Sequence, residues 1–254
     1  MTRVIKVGGR PQSDPALAAA ISESWSRAGG GLVVVHGGGD EVSTLQSALG
    51  GSAKFVNGRR VTTAQDVDLV RMALSGSANK RLVATLVDNG IEAVGLSGED
   101  AALIAALPVD SACLGYVGVP NTINVRFLTH LLAGGYLPVI SPVSRDASGT
   151  LGAALNVNGD DAAAAIAAAL GAEELLLVAD VPGVMRDGEV IRALTPDTAF
   201  ALIADGTAVG GMHAKLQAGL TALAGGVRVV RISDIAAIAD PTRGTMLRTI
   251  GELS

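Results

Sequence analysis

Apolar residues along this chain follow two rhythms. Short β-branched runs stop at glycine or polar breaks, and longer stretches between them repeat apolar residues every three or four positions. The runs predict strands over 3–7, 32–35, 93–96, 137–141, 175–178 and 227–232. The helical spacing predicts helices over 14–28, 41–49, 64–89, 125–133, 160–170, 196–205 and 213–224. In the longest, Val67, Val70, Met72, Leu74, Leu82 and Leu86 keep helical spacing, and Gly76 marks a weak point or a place of close approach. Segments 50–63 and 109–121 read as β-ribbons or loops; in the second, Gly115, Gly118 and Pro120 block a helix. Strands alternating with helices across short breaks predict an α/β fold with a parallel sheet covered on both faces. One domain with an N-terminal lobe, 1–155, and a C-terminal lobe, 156–254, fits better than two independent domains.

Composition narrows this picture. The chain is 49% hydrophobic but only 2% aromatic, so its core is packed from Ala, Val, Leu and Ile. A formal charge of −5 and the lack of a basic run argue against a nucleic-acid backbone as partner. The single Cys113 excludes an internal disulfide and a cysteine-based zinc site. Lys6 and the glycines after it interrupt any signal-peptide pattern, and the apolar run at 162–172 is too short to span a bilayer. The expectation is a soluble cytoplasmic protein.

Four constellations carry candidate chemistry. Lys6-Val7-Gly8-Gly9 closes the first strand, and His36-Gly37-Gly38-Gly39-Asp40 closes the second. Glycines at a strand end let backbone N–H groups approach an anion, and the helix that follows adds its positive end. Taken alone, the first cluster reads as a strand and an ordinary turn; three successive glycines in the second favour the anion cradle. Four of the 19 Lys and Arg are Lys, so a lysine inside an apolar strand suggests a need for a compact ammonium. His36 reads as a hydrogen-bond partner at a strand end rather than an acid or base. Asn156-Val157-Asn158-Gly159-Asp160-Asp161 offers more polar groups than one helix cap needs. Gly210-Gly211-Met212-His213-Ala214-Lys215 opens a helix with a lysine near its start, where a cation opposes the dipole unless an anion is bound. His213 reads as a surface residue.

No P-loop and no dinucleotide fingerprint is present. The pattern suits phosphoryl transfer, in which charge is managed more than covalent chemistry. Lys6 and Lys215 would flank the migrating group from opposite lobes, with Asp160 between them. A carboxylate acceptor is already ionised at neutral pH and needs no general base.

With these residues in view, the chain resembles the amino-acid kinase family, in its N-acetylglutamate kinase branch. The landmarks run in order along nearly the whole chain. They are residues 6–9, 36–39, 58–62 (Gly-Arg-Arg-Val-Thr), 79–83 (Asn-Lys-Arg-Leu-Val), 94–98 (Val-Gly-Leu-Ser-Gly), 156–160, 180–183 (Asp-Val-Pro-Gly) and 210–215. The resemblance implies an αβα sandwich around a mostly parallel sheet of about eight strands. It implies phosphorylation of the side-chain carboxylate of N-acetyl-L-glutamate by ATP, in arginine synthesis. Lys6, Lys215 and Asp160 would be catalytic. Gly37, Gly38, Arg60 and Asn156 would hold the acceptor, Arg60 gripping its α-carboxylate. Gly8, Gly9, Asp180, Gly210 and Gly211 would serve ATP, and Mg2+ would arrive on the nucleotide rather than on a protein ligand. The helix holding residues 79–83 resembles the family's dimer contact and implies a homodimer. The chain lacks the extra N-terminal helix of arginine-inhibited members, which suggests insensitivity to arginine.

Three departures fall on the substrate side. Arg10 follows the first Gly-Gly, Asp40 follows the second cluster, and Lys54-Phe-Val precedes Asn57, where basic residues are common. Asp40 would repel an acidic acceptor if it pointed inward. Alternative acceptors are aminoadipate or glutamate linked to a carrier protein, which asks for a basic rim such as Arg10, Arg59 and Arg60, or an N-succinyl amino acid. A non-catalytic binding module is the remaining reading, and intact Lys6, Asp160 and Lys215 argue against it.

Overall fold

The computed structural model describes residues 2–56, 59–152 and 154–249. Asn57 and Gly58, the latter the first residue of the 58–62 landmark, lie outside the described residues. Strand β1 (Arg3–Val7), helix α1 (Ala16–Arg27), strand β2 (Leu32–His36) and helix α2 (Gly39–Ala48) open the chain. A hairpin of β3 (Phe55–Val56) and β4 (Arg59–Arg60) comes next. The long helical stretch is α3 (Ala64–Val70), a π-helical segment (Arg71–Ala78) and α4 (Asn79–Asp88). Then come β5 (Ala93–Gly98), β6 (Ile104–Pro108), the one-turn α5 (Ser111–Leu114), β7 (Val117–Ile123), α6 (Val125–Ala133) and β8 (Leu137–Asp146). Strand β9 (Ala154–Val157) feeds α7 (Gly159–Ala169) and β10 (Glu174–Val178). The short strands β11 (Met185–Arg186), β12 (Glu189–Val190) and β13 (Ala193–Leu194) follow, then α8 (Pro196–Ala204), α9 (Gly210–Ala224), β14 (Val229–Ser233) and β15 (Thr245–Leu247).

All six expected strands and all seven expected helical stretches are present. The main sheet has eleven strands, in the order β13-β15-β14-β10-β1-β2-β8-β6-β7-β9, with β5 on β8. Its centre, from β14 through β10, β1 and β2 to β8, is parallel throughout. The strands beyond the expected eight lie at its ends, where antiparallel pairs β14–β15, β6–β7 and β8–β9 occur. Edge strands face helices on neither or one side and need no continuous apolar run, so periodicity does not reveal them. Segment 109–121, read as ribbon or loop, supplies most of β7 after the single turn of α5.

Strand alternation decides which side chains meet. Val4 packs with the cluster under α7, α8 and α9, while Ile5 and Val7 pack on the opposite face with α1 and α4. Lys6 therefore shares the face of Val4, towards α7 and α9. In β2, Val33 and Val35 belong to the α7 side and Leu32 and Val34 to the α1 and α4 side, so His36 turns towards α4. The stretch 64–88 buries Val67, Val70, Leu74, Leu82 and Leu86 as expected, but leaves Met72 exposed. Gly76 lies inside the π-helical segment; a Cβ there would come no nearer than 3.9 Å to Arg71 O. It marks a loosened turn, not a close approach.

Candidate active site

Three elements deliver three charges to one point at the carboxyl end of the parallel strands. Strand β1 presents Lys6, the first turn of α7 presents Asp160, and the second turn of α9 presents Lys215. Lys6 Nζ lies 2.9 Å from Asp160 Oδ1. Lys215 Nζ lies 3.3 Å from Oδ1 and 3.2 Å from Oδ2 of the same carboxylate. Asn158 caps α7 by accepting from the Asp160 N–H at 2.7 Å, which sets where the aspartate leaves the helix. Gly159 keeps the approach open, since a Cβ there would sit 3.2 Å from Lys6 Cε.

Lys6 and Asp160 are buried, 7% and 4% exposed, and Lys215 is partly buried. Burial pushes the Asp160 carboxyl up, but Lys6 and then Lys215 outweigh it and hold the group below its ordinary value. Burial and then the charge of Lys6 pull Lys215 down to about 8, against the opposing pull of Asp160. Two ammonium groups share one carboxylate and leave net positive charge facing a cleft. That arrangement is suited to take an anion.

Two cavities meet at this point. The first, about 230 Å3, has Gly37, Gly38, Arg60 and Asn156 in its walls and Asp160 and Lys6 at its base. The second, about 460 Å3, is lined by Gly8, Gly9, Asp180, Gly211 and Lys215, again with Lys6. Lys6, Gly9 and Gly39 border both. Every expected site residue borders one of the two except Gly210. Gly210 lines a separate cavity of about 470 Å3 with Arg59, Asp161 and His213, because α9 begins at Gly210, three residues before the expected start, and turns it away.

Arg60 is held ready by neutral partners. Its guanidinium donates to Gln46 Oε1 at 3.0 Å, to Gly39 O at 2.8 Å and to Ser43 Oγ at 2.6 Å, and it sits 4.9 Å from the centre of the Phe55 ring. Among the described residues no carboxylate forms an ion pair with it. Its charge remains available to an anion in the first cavity. Asn156 Nδ2 donates to Thr62 Oγ1 at 3.0 Å, which ties it to the same wall.

The amino acid kinase family profile matches residues 1–234. An acetylglutamate kinase of Geobacillus kaustophilus is 44% identical over 233 residues, 91% of this chain and 89% of its own. That of Chloroflexus aurantiacus is 42% identical over 253 residues, 99% of this chain and 98% of its own. Among solved structures, smu.665 of Streptococcus mutans UA159 superposes with a TM-score of 0.86 at 29% identity, over 97% of this chain and 98% of its own. The chain belongs to the amino acid kinase family. It is a kinase, a phosphotransferase acting on a carboxyl group.

In this amino acid kinase the departures at Arg10 and Asp40 are coupled. Arg10 Nη1 donates to Asp180 Oδ2 at 2.8 Å, and Arg10 Nε lies 3.6 Å from Asp40 Oδ2. The Arg10 hydrogen bond holds Asp180 below its ordinary value. Asp40 is exposed, lines the second cavity and does not line the first, so it does not face an acceptor there. The sequence offered Arg10 as part of a basic rim and Asp40 as a residue that would repel an acidic acceptor, and did not show that the two meet. It gave no sign of Gln12, whose Nε2 donates to Gly37 O at 2.8 Å, or of Ser43 and Gln46 behind Arg60. Such supports are neutral residues on helices, and only the packed helix shows what they reach. Among the described residues, no group of three or more His, Cys, Asp or Glu is placed to hold a metal ion, and no helix is long and apolar enough to cross a membrane.

Proposed function

We propose that the chain transfers the γ-phosphoryl group of ATP to the side-chain carboxylate of N-acetyl-L-glutamate, giving the acyl phosphate used in arginine biosynthesis. The observation that carries this reading is the pair of cavities joined at Lys6, with opposite sides served by Arg60 and Lys215. The acceptor occupies the first cavity, its α-carboxylate on Arg60 with Asn156 beside it and its reacting carboxylate towards Lys6. The triphosphate occupies the second, over Gly8, Gly9 and Gly211, with Lys215 on the γ-phosphoryl group. A carboxylate oxygen forms a bond to γ-phosphorus as the bond from γ-phosphorus to the bridging oxygen breaks, and ADP leaves. No proton moves, which agrees with a centre containing two lysines and one ionised aspartate but no poised base. Lys6 and Lys215 neutralise the equatorial oxygens as charge shifts to the leaving group, and Asp160 holds both ammonium groups in place. Mg2+ arriving on ATP would supply further charge neutralisation; Asp180, which lines the second cavity and is paired with Arg10, is the carboxylate that would meet it, and the nucleotide would carry the rest of its ligand set.

The small first cavity favours a compact acyl group such as acetyl over succinyl. A carrier protein would want a free basic rim, but Arg60 is buried, Arg59 pairs with Asp161 at 2.9 Å, and Arg10 is tied to Asp180 and Asp40. In this reading residues 1–155 form the acceptor lobe and 156–254 the nucleotide lobe. The protein acts in the cytoplasm as a homodimer joined through the helical stretch 64–88.

The test is hydroxamate trapping of the acyl phosphate with MgATP and N-acetyl-L-glutamate, beside N-succinylglutamate and free glutamate. Saturable product with the N-acetyl substrate alone, lost in folded Lys215→Ala, is expected. Full activity in that variant, or product with only another acceptor, would overturn the assignment.

A further inference from the structure

Asn79, the first residue of α4, is wholly buried beneath the second glycine cluster, although it lines neither joined cavity. Its Nδ2 lies 2.9 Å from Val139 O and 3.0 Å from His36 Nε2. A backbone carbonyl only accepts, so the atom facing Val139 is the NH2 group; its second hydrogen faces His36 Nε2, with Leu96 O as a more distant acceptor at 3.4 Å. Nε2 of His36 is then the acceptor and Nδ1 carries the proton. Nδ1 in turn lies 2.9 Å from Gly37 O, to which it donates. Burial, the largest influence, pulls the imidazole down to about 4, which keeps the ring neutral; the two hydrogen bonds choose the tautomer.

Gly37 O therefore receives two fixed donors, His36 Nδ1–H and the Gln12 amide. In a planar trans peptide, the carbonyl and the following N–H point in opposite directions. Anchoring Gly37 O thus aims the Gly38 N–H the other way, and among the described residues that N–H makes no hydrogen bond. Gly38 also lines the first cavity. It adopts φ +149°, and a Cβ there would lie 2.8 Å from Leu74 Cδ2. Leu74 and Asn79 lie five positions apart, which in an α-helix places them about 140° apart around the axis. The wider i to i+5 turn of the π-helical segment draws them towards one side. One helical stretch thus presses on Gly38 and steers it through His36.

We infer that Asn79 is a positioning residue, which fixes the His36 tautomer and so aims the Gly38 N–H at the transferring phosphoryl group. The inference rests on the proposed reaction for the identity of the oxygen that Gly38 meets. The orphaned Asn79 Oδ1 adds an independent handle. A Cβ on Gly95 would overlap Asn79 Oδ1 and crowd Lys80 Nζ and Val83 Cγ2, so Gly95→Ala displaces the amide, with its two helix neighbours, without removing a polar group.

The experiment combines side-chain 15N NMR of His36 with steady-state kinetics on Asn79→Leu, Asn79→Asp, Gly95→Ala and His36→Asn. In the parent protein His36 is expected as the neutral Nδ1–H form, and Asn79→Asp, whose carboxylate accepts where the amide donated, should shift it towards Nε2–H. Because an aimed donor acts in the transition state, kcat should fall about a hundredfold in Asn79→Asp while KM for the acceptor stays within about twofold. Gly95→Ala should move both readouts in the same direction, and it serves if the Asn79 variants unfold. His36→Asn places an amide N–H near the position of Nδ1 and should retain most of kcat. In that background Asn79→Leu should cost little more. An unchanged His36 tautomer in Asn79→Asp, or an Asn79→Leu loss as large in His36→Asn as in the parent, overturns the relay. Failure of the parent protein to make acyl phosphate strikes the proposed reaction instead, and the NMR result still decides the tautomer.

Discussion

Lys215 carries a charge that is unusually easy to lose for a lysine. Burial and Lys6 bring it to about 8, so the ligand-free protein sheds this proton only slightly above neutral pH. Its ordinary value is the higher one, so the protonated form predominates below about pH 8 and is depleted above it. The parameter kcat/KM for ATP should therefore be flat just below that value and fall about tenfold per pH unit above it. A profile flat through pH 8 and well beyond would mean that Lys215 is not required as a cation. Residue type and neighbours made Lys6, Asp160 and Lys215 legible as candidates, because a lysine in an apolar strand and another at a helix start both need an anion. His36 was legible as a strand-end hydrogen-bond partner. Its partner Asn79 was not, because a residue 43 positions away at a helix start carries no local sign of facing it.

Among the elements, the parallel centre of the sheet was readable and its edges were not, for the same physical reason. Strands such as β10, covered on both faces, are apolar beyond their first residue, whereas β13 has two residues and β15 three. The opposite ends of β10 and β14 from the site carry a buried charge cluster that periodicity also missed. Arg3 Nε lies 2.6 Å from Glu174 Oε2 as an ion pair rather than an aligned hydrogen bond, and Arg231 Nε donates to Glu174 Oε1 at 2.7 Å. The same two arginines bind the carbonyls of Ala237, Ile238, Pro241 and Arg243, fastening the C-terminal segment to β1 and β14. Glu174→Gln leaves two guanidinium groups facing one neutral amide. It should lower unfolding free energy by about 3 kcal/mol in urea titration, because removing one partner of a buried ion pair strands the other. A loss below about 1 kcal/mol would show that solvent screens this cluster as it screens a surface pair.

At the scale of the molecule, stretch 64–88 has two duties. Inward, it supports Gly38 and His36; outward, it exposes Met72 and Val87, 52% and 51% accessible. The proposed homodimer would cover those side chains. Light scattering should give twice the chain mass, and Met72→Glu with Val87→Glu should halve it; a monomeric parent protein would end that proposal. What the amino-acid sequence determined by itself was local: which segments are strands and helices, and which strand ends are stripped of Cβ atoms beside lysines. Those follow from propensity and periodicity over a few residues. The tertiary structure alone decided that Lys6 and His36 point to opposite faces, that Arg10 and Asp40 meet at the second cavity, and that Gly210 leaves it. Each depends on strand alternation, helix phase or long-range packing, where a shift of one residue reverses the direction of a side chain.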